Sequence, residues 1–238
     1  MKEQYVGDVN DYRKYALLRL LGRSGLRLGV CWMLTPPDGR SDGNKLGYLD
    51  QSKQEHHDPE LFALLRRARN EPDSRLLVLI EGSEILPGAV FVNTTVPETL
   101  FERQLWFRQA SAALTETDLI FFDPDNGIEV GSVGKGRRSS SKYVYRDELA
   151  ATYRAGHSLV VYQHFQRKER ESLIRDVADD LRRAAPYAEI WAIRTSHVVF
   201  MLAIQPRHRP ALSAAARHIL ETADPSFLHA QLIASASP

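Results

Sequence analysis

The ten residues FFDPDNGIEV, 121 to 130, carry three carboxylates, Asp123, Asp125 and Glu129, and one amide, Asn126, with Pro124 stiffening the backbone between the first two. Carboxylates at this spacing have three uses: they accept hydrogen bonds from an amine, they ligate a divalent cation, or, next to Asn and Gly127, they cap a tight turn. The run before them, DLIFF, reads as a buried strand. Ligands of open parallel sheets collect beyond the carboxyl ends of the strands. Asp123, Pro124, Asp125 and Asn126 are therefore the candidate catalytic group.

Other chemistry-bearing residues lie nearby in the chain. GKGRRSSSK, 134 to 142, sets Lys135, Arg137, Arg138 and Lys142 among glycines and serines, a flexible and solvated stretch able to follow phosphates. Tyr143 and Tyr145 after it either stack bases or start the next element. Gln163 and His164 end the next apolar run, VVYQHF, beside the Asp123 strand if strand order follows sequence. These basic residues, with Gln163 and His164, are the candidate substrate contacts. His56 and His57 precede Asp58, but adjacent histidines before a helix are usually exposed, and no metal site is expected there.

Several elements must position these groups. RKYALLRLLG is an amphipathic helix with Asp11 as its expected N-cap and Gly22 as its stop. LRLGVCWML reads as a strand ending at TPPDGRSDG. PELFALLRRARN is a helix opened by Pro59, and RLLVLIE and VFVNTTV read as strands. ETLFERQLWFRQASAAL is a helix feeding the DLIFF strand. Downstream, DELAATYRAG, RESLIRDVADDLRRAA and PALSAAARHILETA are helices, HSLVVYQHF is a strand, and EIWAIR and SHVVFMLAIQP form an antiparallel hairpin. ASASP is a frayed end. Alternation of this kind predicts an α/β fold, Rossmann-like and doubly wound, with a mostly parallel sheet, an antiparallel C-terminal hairpin and helices on both faces. It also predicts one domain over 1–238, with 35–75 as an insertion or variable region.

Composition narrows the partners. Of 238 residues 43% are hydrophobic, enough for one substantial core, and 31 Lys and Arg nearly balance 30 Asp and Glu. No global field attracts nucleic acid or an acidic membrane, so either would have to meet a local patch. The single cysteine, Cys31, forms no internal disulfide. The start, MKEQYVGDVNDYRKY, is too charged for a signal peptide, and no apolar run reaches the roughly 20 residues of a membrane helix. A soluble cytoplasmic protein is expected.

Two segments carry a resemblance. Asp-Pro at the end of the DLIFF strand is similar to the Asp-Pro-Pro-Tyr tetrad of amino-group methyltransferases. GDVNDYRKYALLRLL resembles the Gly-Asn-x-x-Asp-x-x-Lys-His-x-x-Leu-Leu opening of the large-subunit ribosomal RNA adenine-N6 methyltransferases of the J type: Gly7, Asp11, Lys14 and the leucines match, while Asp8 and Tyr15 replace Asn and His. The strand pair and helix of VVFMLAIQPRHRPALSAAARHIL resemble that family's ending. Residues 35 to 100 lie outside the likeness, and Asn126 stands where the family has an aromatic ring.

The resemblance implies an S-adenosylmethionine-dependent methyltransferase acting on an amino group, with RNA or DNA as partner. Asp123 and the Pro124 carbonyl would then accept from the target amine. Asp11 and Lys14 would lie near the cofactor or a phosphate, and Glu81 would take the cofactor's ribose hydroxyls. Asp38, Gly39, Asp42 and Gly43 would supply the turn that approaches the cofactor. Two alternatives stay open. One is a nuclease or phosphohydrolase holding Mg2+ on Asp123, Asp125 and Glu129; the other is a nucleic-acid-binding relative without catalysis.

Overall fold

The computed structural model describes residues 1–2, 6–36, 45–70, 77–165 and 168–235. Asp38, Gly39, Asp42 and Gly43, the expected cofactor turn, lie outside the described residues.

Among the described residues, seven strands make the central sheet. In chain order these are β1 (Leu28–Cys31), β2 (Val90–Val92), β3 (Leu119–Phe122), β6 (Ser158–His164), β7 (Glu189–Arg194), β8 (Val198–Ile204) and β9 (His229–Ala234); β4 (Gly127–Ile128) and β5 (Tyr143–Val144) form a small separate ladder. The spatial order is β2-β1-β3-β6-β8-β7-β9. β2, β1, β3 and β6 pair in parallel, and β8 enters antiparallel between β6 and β7. β7 consequently runs the same way as β1, β2, β3 and β6, which makes the sheet mostly parallel by strand direction.

Alternation along the strands shows why both faces need helices. Leu28, Val30, Leu119, Phe121, Val160, Phe200 and Leu202 face one core, and Cys31, Ile120, Phe122, Leu159, Val161, Val199 and Met201 face the other. A strand apolar on both sides must be covered on both. The first core is closed by α1 (Val9–Gly22), α2 (Pro59–Ala68), α3 (Leu77–Glu81) and α7 (Arg209–Thr222); the second is closed by α4 (Leu100–Ala113), α5 (Arg146–Arg154) and α6 (Arg170–Ala184). Tyr48, Leu49, Leu61, Phe62 and Leu65 join the first core, so much of the expected variable region is packed against α1. The protein is thus an α/β protein with a helix-flanked central sheet.

Three expectations change. The described part of RLLVLIE is not a strand: Leu77–Glu81 is a short helix, with Leu77 and Ile80 buried and Val78 63% exposed. Burial at i and i+3 is helical spacing, and a continuous apolar run conceals it. The strand beside β1 at this edge of the sheet is β2, within the expected VFVNTTV strand. HAQLIA, not anticipated as a strand, is β9, paired antiparallel to β7 with an irregularity at Ile190/Trp191. Asp11 is not the cap of α1. Asp8 caps it, its Oδ1 accepting from the backbone N–H of Asn10 and Asp11 at 2.7 and 3.0 Å. A cap one turn earlier leaves Asp11 inside the helix, facing the core.

Candidate functional site

After β1 the chain goes outward to β2, and then returns to the other side of β1 as β3. The order therefore reverses between β1 and β3, and the crevice at such a reversal is where open α/β sheets take ligands. Asp123 follows β3 at this point, its backbone N–H donating to Cys31 O at 3.0 Å. Met33, just past β1, has φ of +47°, a left-handed backbone that costs a non-glycine residue about 1 kcal/mol or more.

A buried ion cluster fills the crevice. The Lys14 ammonium lies 2.8 Å from Asp123 Oδ2 and 2.6 Å from Asp11 Oδ1, and the Tyr15 hydroxyl donates to Asp11 Oδ2 at 2.9 Å. The rings of Tyr15, Trp32 and Tyr162 stand 5.4, 5.5 and 6.0 Å from the same ammonium, within cation-π range. Lys14 and Asp123 are each only 2% exposed. Burial opposes the lysine's charge, but Asp11 and Asp123 outweigh it and hold the ammonium above the ordinary lysine value. Burial likewise pushes both carboxyls up, with Lys14 pulling them back.

Asp125 belongs to a second set of contacts. Its Oδ1 lies 3.1 Å from the Met1 amino group, and its Oδ2 accepts from the Thr35 hydroxyl at 3.0 Å. The same amino group donates to Met33 O and Asp123 O. Glu129 turns away toward α5, accepting from Arg146 N–H at 2.8 Å and pairing with its guanidinium. Asp123, Asp125 and Glu129 are thus each committed to different cations. Among the described residues, the three-group cluster able to hold a metal is His56, His57 and Asp224.

Gln163 is held against the DPDNG turn by its own side chain. Its Oε1 accepts from Ile128 N–H at 2.9 Å, and its Nε2 donates to Asn126 O and His164 O. Gly127 makes room for it: φ is +121°, and a Cβ there would meet the Gln163 amide at 2.1 Å. Gly127→Ala should cost about 3 kcal/mol, combining left-handed strain with displacement of Gln163. Thermal melts check this, and the penalty should shrink in a Gln163→Ala background; an equal penalty there would rule out the clash.

His164 is exposed beyond Gln163. Its Nε2 is 3.1 Å from the Tyr162 hydroxyl, and desolvation lowers its pKa while Asp125 and Asp123 oppose that shift. Glu81, at the end of α3 rather than of a strand, still reaches the carboxyl edge of the sheet. Its two oxygens accept from the Trp32 indole and the Asn93 amide, each at 2.9 Å, and those residues follow β1 and β2.

The basic stretch is fastened to its surroundings by hydrogen bonds. Asn126 N–H donates to Lys142 O, and the β4–β5 ladder closes the loop next to the Asp123 turn. Its organiser is Arg103 on α4, a residue the sequence reading passed over. The fully buried guanidinium makes a two-point pair with Glu148 at 2.8 and 2.9 Å and donates to Ser140 O and Tyr143 O. Spacing held a signal: Arg103, Trp106 and Ala110 share one helix face, so the arginine had to point inward. Lys135 pairs with Asp147 at 2.6 Å, while Arg137 and Arg138 are exposed.

No family model matches the chain, and no curated protein matches it. Among the described residues, no helix is long and apolar enough to cross a membrane.

Proposed function

We propose that the protein is an S-adenosylmethionine-dependent methyltransferase of Rossmann-like fold that modifies an amino group of a nucleic acid. The observation that carries this reading is the position of Asp123-Pro124: directly beyond β3, at the reversal of strand order, with the Lys14 ammonium against the carboxylate. Both ends of that ion pair belong to segments that resemble the methyltransferases, though they stand 109 residues apart. The terminal pair β7 and β8 followed by α7 agrees with the same likeness.

Asp123 would accept a hydrogen bond from the target amine, fixing the direction of its lone pair, with the Pro124 carbonyl as second acceptor. Lys14 and Asp11 would set the orientation of Asp123 and oppose the effect of burial on its charge. At 2% exposure Asp123 is covered, so the Met1 side of the crevice would have to open as the amine enters. When bound, S-adenosylmethionine supplies a methyl carbon activated by its sulfonium. Glu81, beside Trp32 and Asn93 at the ends of β1 and β2, would accept from ribose hydroxyls. Arg137 and Arg138, on a loop joined to Asn126 through Lys142, would meet phosphates.

Calorimetric titration with S-adenosylmethionine and S-adenosylhomocysteine tests this reading. Saturable binding that Glu81→Gln weakens about tenfold is expected, together with labelled-methyl transfer to RNA or DNA that Asp123→Ala lowers at least about 100-fold. Binding of nucleic acid with neither ligand giving heat nor a melting shift would instead establish the non-catalytic alternative.

A further inference from the structure

A second cluster lies apart from the Asp123 crevice. His56 and His57 end a 3-10 turn, Ser52–His57, that leads into α2, and Asp224 sits in the junction between α7 and β9. One donor atom from each of the three lies within 4.8 Å of the others, although the aspartate is 167 residues from His57 in sequence. Adjacent residues of a chain present their side chains together only where the backbone turns. Here the two imidazole rings are 3.9 Å apart, on the same side.

The donors are also held in place. His57 lies flat on Phe227, with ring centroids 3.9 Å apart and planes inclined by 5°, and buried Phe227 is itself packed edge-on against Tyr12. Asp224 accepts from Ser226 N–H through Oδ1 at 2.8 Å, and its carbonyl accepts from Phe227 and Leu228. The carboxylate therefore leaves a fixed turn in a set direction. All three residues border a cleft of about 500 Å³, which Arg19, Arg23, Leu20 and Thr222 also line.

Two imidazoles and one carboxylate form a donor set that suits zinc and its first-row neighbours; magnesium and calcium favour all-oxygen sites. Ligand atoms about 2.1 Å from a tetrahedral zinc stand about 3.4 Å apart, so side-chain rotations of roughly 1 Å would complete the set. Three protein ligands leave one position open. We infer that His56, His57 and Asp224 bind one zinc-class divalent cation, with its open coordination position turned to the cleft. The ion would fasten the turn before α2 to the junction that follows α7.

The test is titration of chelator-dialysed protein with zinc chloride and, separately, cobalt chloride. One equivalent should bind, raise the melting temperature and, for cobalt, give visible absorption of a nitrogen- and oxygen-ligated ion. His57→Ala and Asp224→Asn should each weaken binding by about tenfold or more, since even residues that only orient a ligand cost 10- to 100-fold. Asp123→Asn should leave it unchanged, and magnesium chloride should give no comparable heat. All three side chains are at least partly exposed, so the variants should keep the wild-type circular dichroism. Absence of saturable binding, or an affinity that neither variant moves, would overturn the assignment. The methyltransferase reading is independent of either result.

Discussion

Lys14→Met should be among the most damaging substitutions, costing about 3–5 kcal/mol at neutral pH, because it leaves the Asp11 and Asp123 carboxylates together without their cation. In a chain of this size the melting temperature should fall by on the order of 10 °C. The pH dependence separates this cause from lost packing. Burial raises both carboxyls above their ordinary value, so the native state binds their protons more tightly than the unfolded chain does. Stability from such a group is present in full at low pH and is lost as pH rises through the folded-state pKa. Lys14 is the largest influence holding the two pKa values down, so its removal lifts them further and widens that window. Urea unfolding near pH 5 and near pH 8 should show the deficit of the variant growing with pH. A deficit equal at both values would mean that methionine merely packs badly.

Arg103→Met should cost a similar amount, about 3–5 kcal/mol, for a different reason. The guanidinium spans the gap between α4 and α5 and holds the carbonyls of Ser140 and Tyr143, so its removal strands Glu148 and unfastens 134–142. Lys135, 3.3 Å from Glu148 Oε1, offsets part of the lost charge. Trypsin should then cut at Arg137 and Arg138 well before it attacks the core, whereas the wild type should resist. Adding Glu148→Gln should recover some stability by removing the stranded charge. Lys135→Ala alone should cost less than about 1 kcal/mol, because its other partner, Asp147, is exposed. Unchanged cleavage in Arg103→Met would show that the loop is held by Glu98, which accepts from Ser139 and Ser141, and not from below.

The two helices that flank these ion pairs show how far the sequence could be read. α1 and α4 were legible as helices from apolar spacing, and so were the strands that end at Asp123 and His164. Lys14 was not legible as buried, because a long cation on a helix is ordinarily solvated, and Arg103 was hinted at only by sharing a helix face with Trp106 and Ala110; the partners of both are remote in sequence. Lys14 meets Asp123 across 109 positions, and Arg103 meets Glu148 across 45. α3 was misread because a run of leucine, valine and isoleucine suits a buried strand as well as a buried helical turn. β9 was missed because HAQLIA holds one β-branched residue, and its pairing with β7 supplies the stability that its composition lacks. His56 and His57 stood out in the sequence, but Asp224 could join them only through the fold.

The seat of β8 bears on how the chain reaches this fold. VVFMLAI is buried along its whole length and completes the sheet from its middle, between β6 and β7. On the ribosome, β6 is made about 40 residues before the strand that will pair with it, and its free edge stays open throughout that interval. Seven uncharged apolar residues without proline are also a segment prone to pair with copies of itself. Until VVFMLAI arrives, the open edge of β6 and the apolar segment itself are where pairing between chains competes with folding.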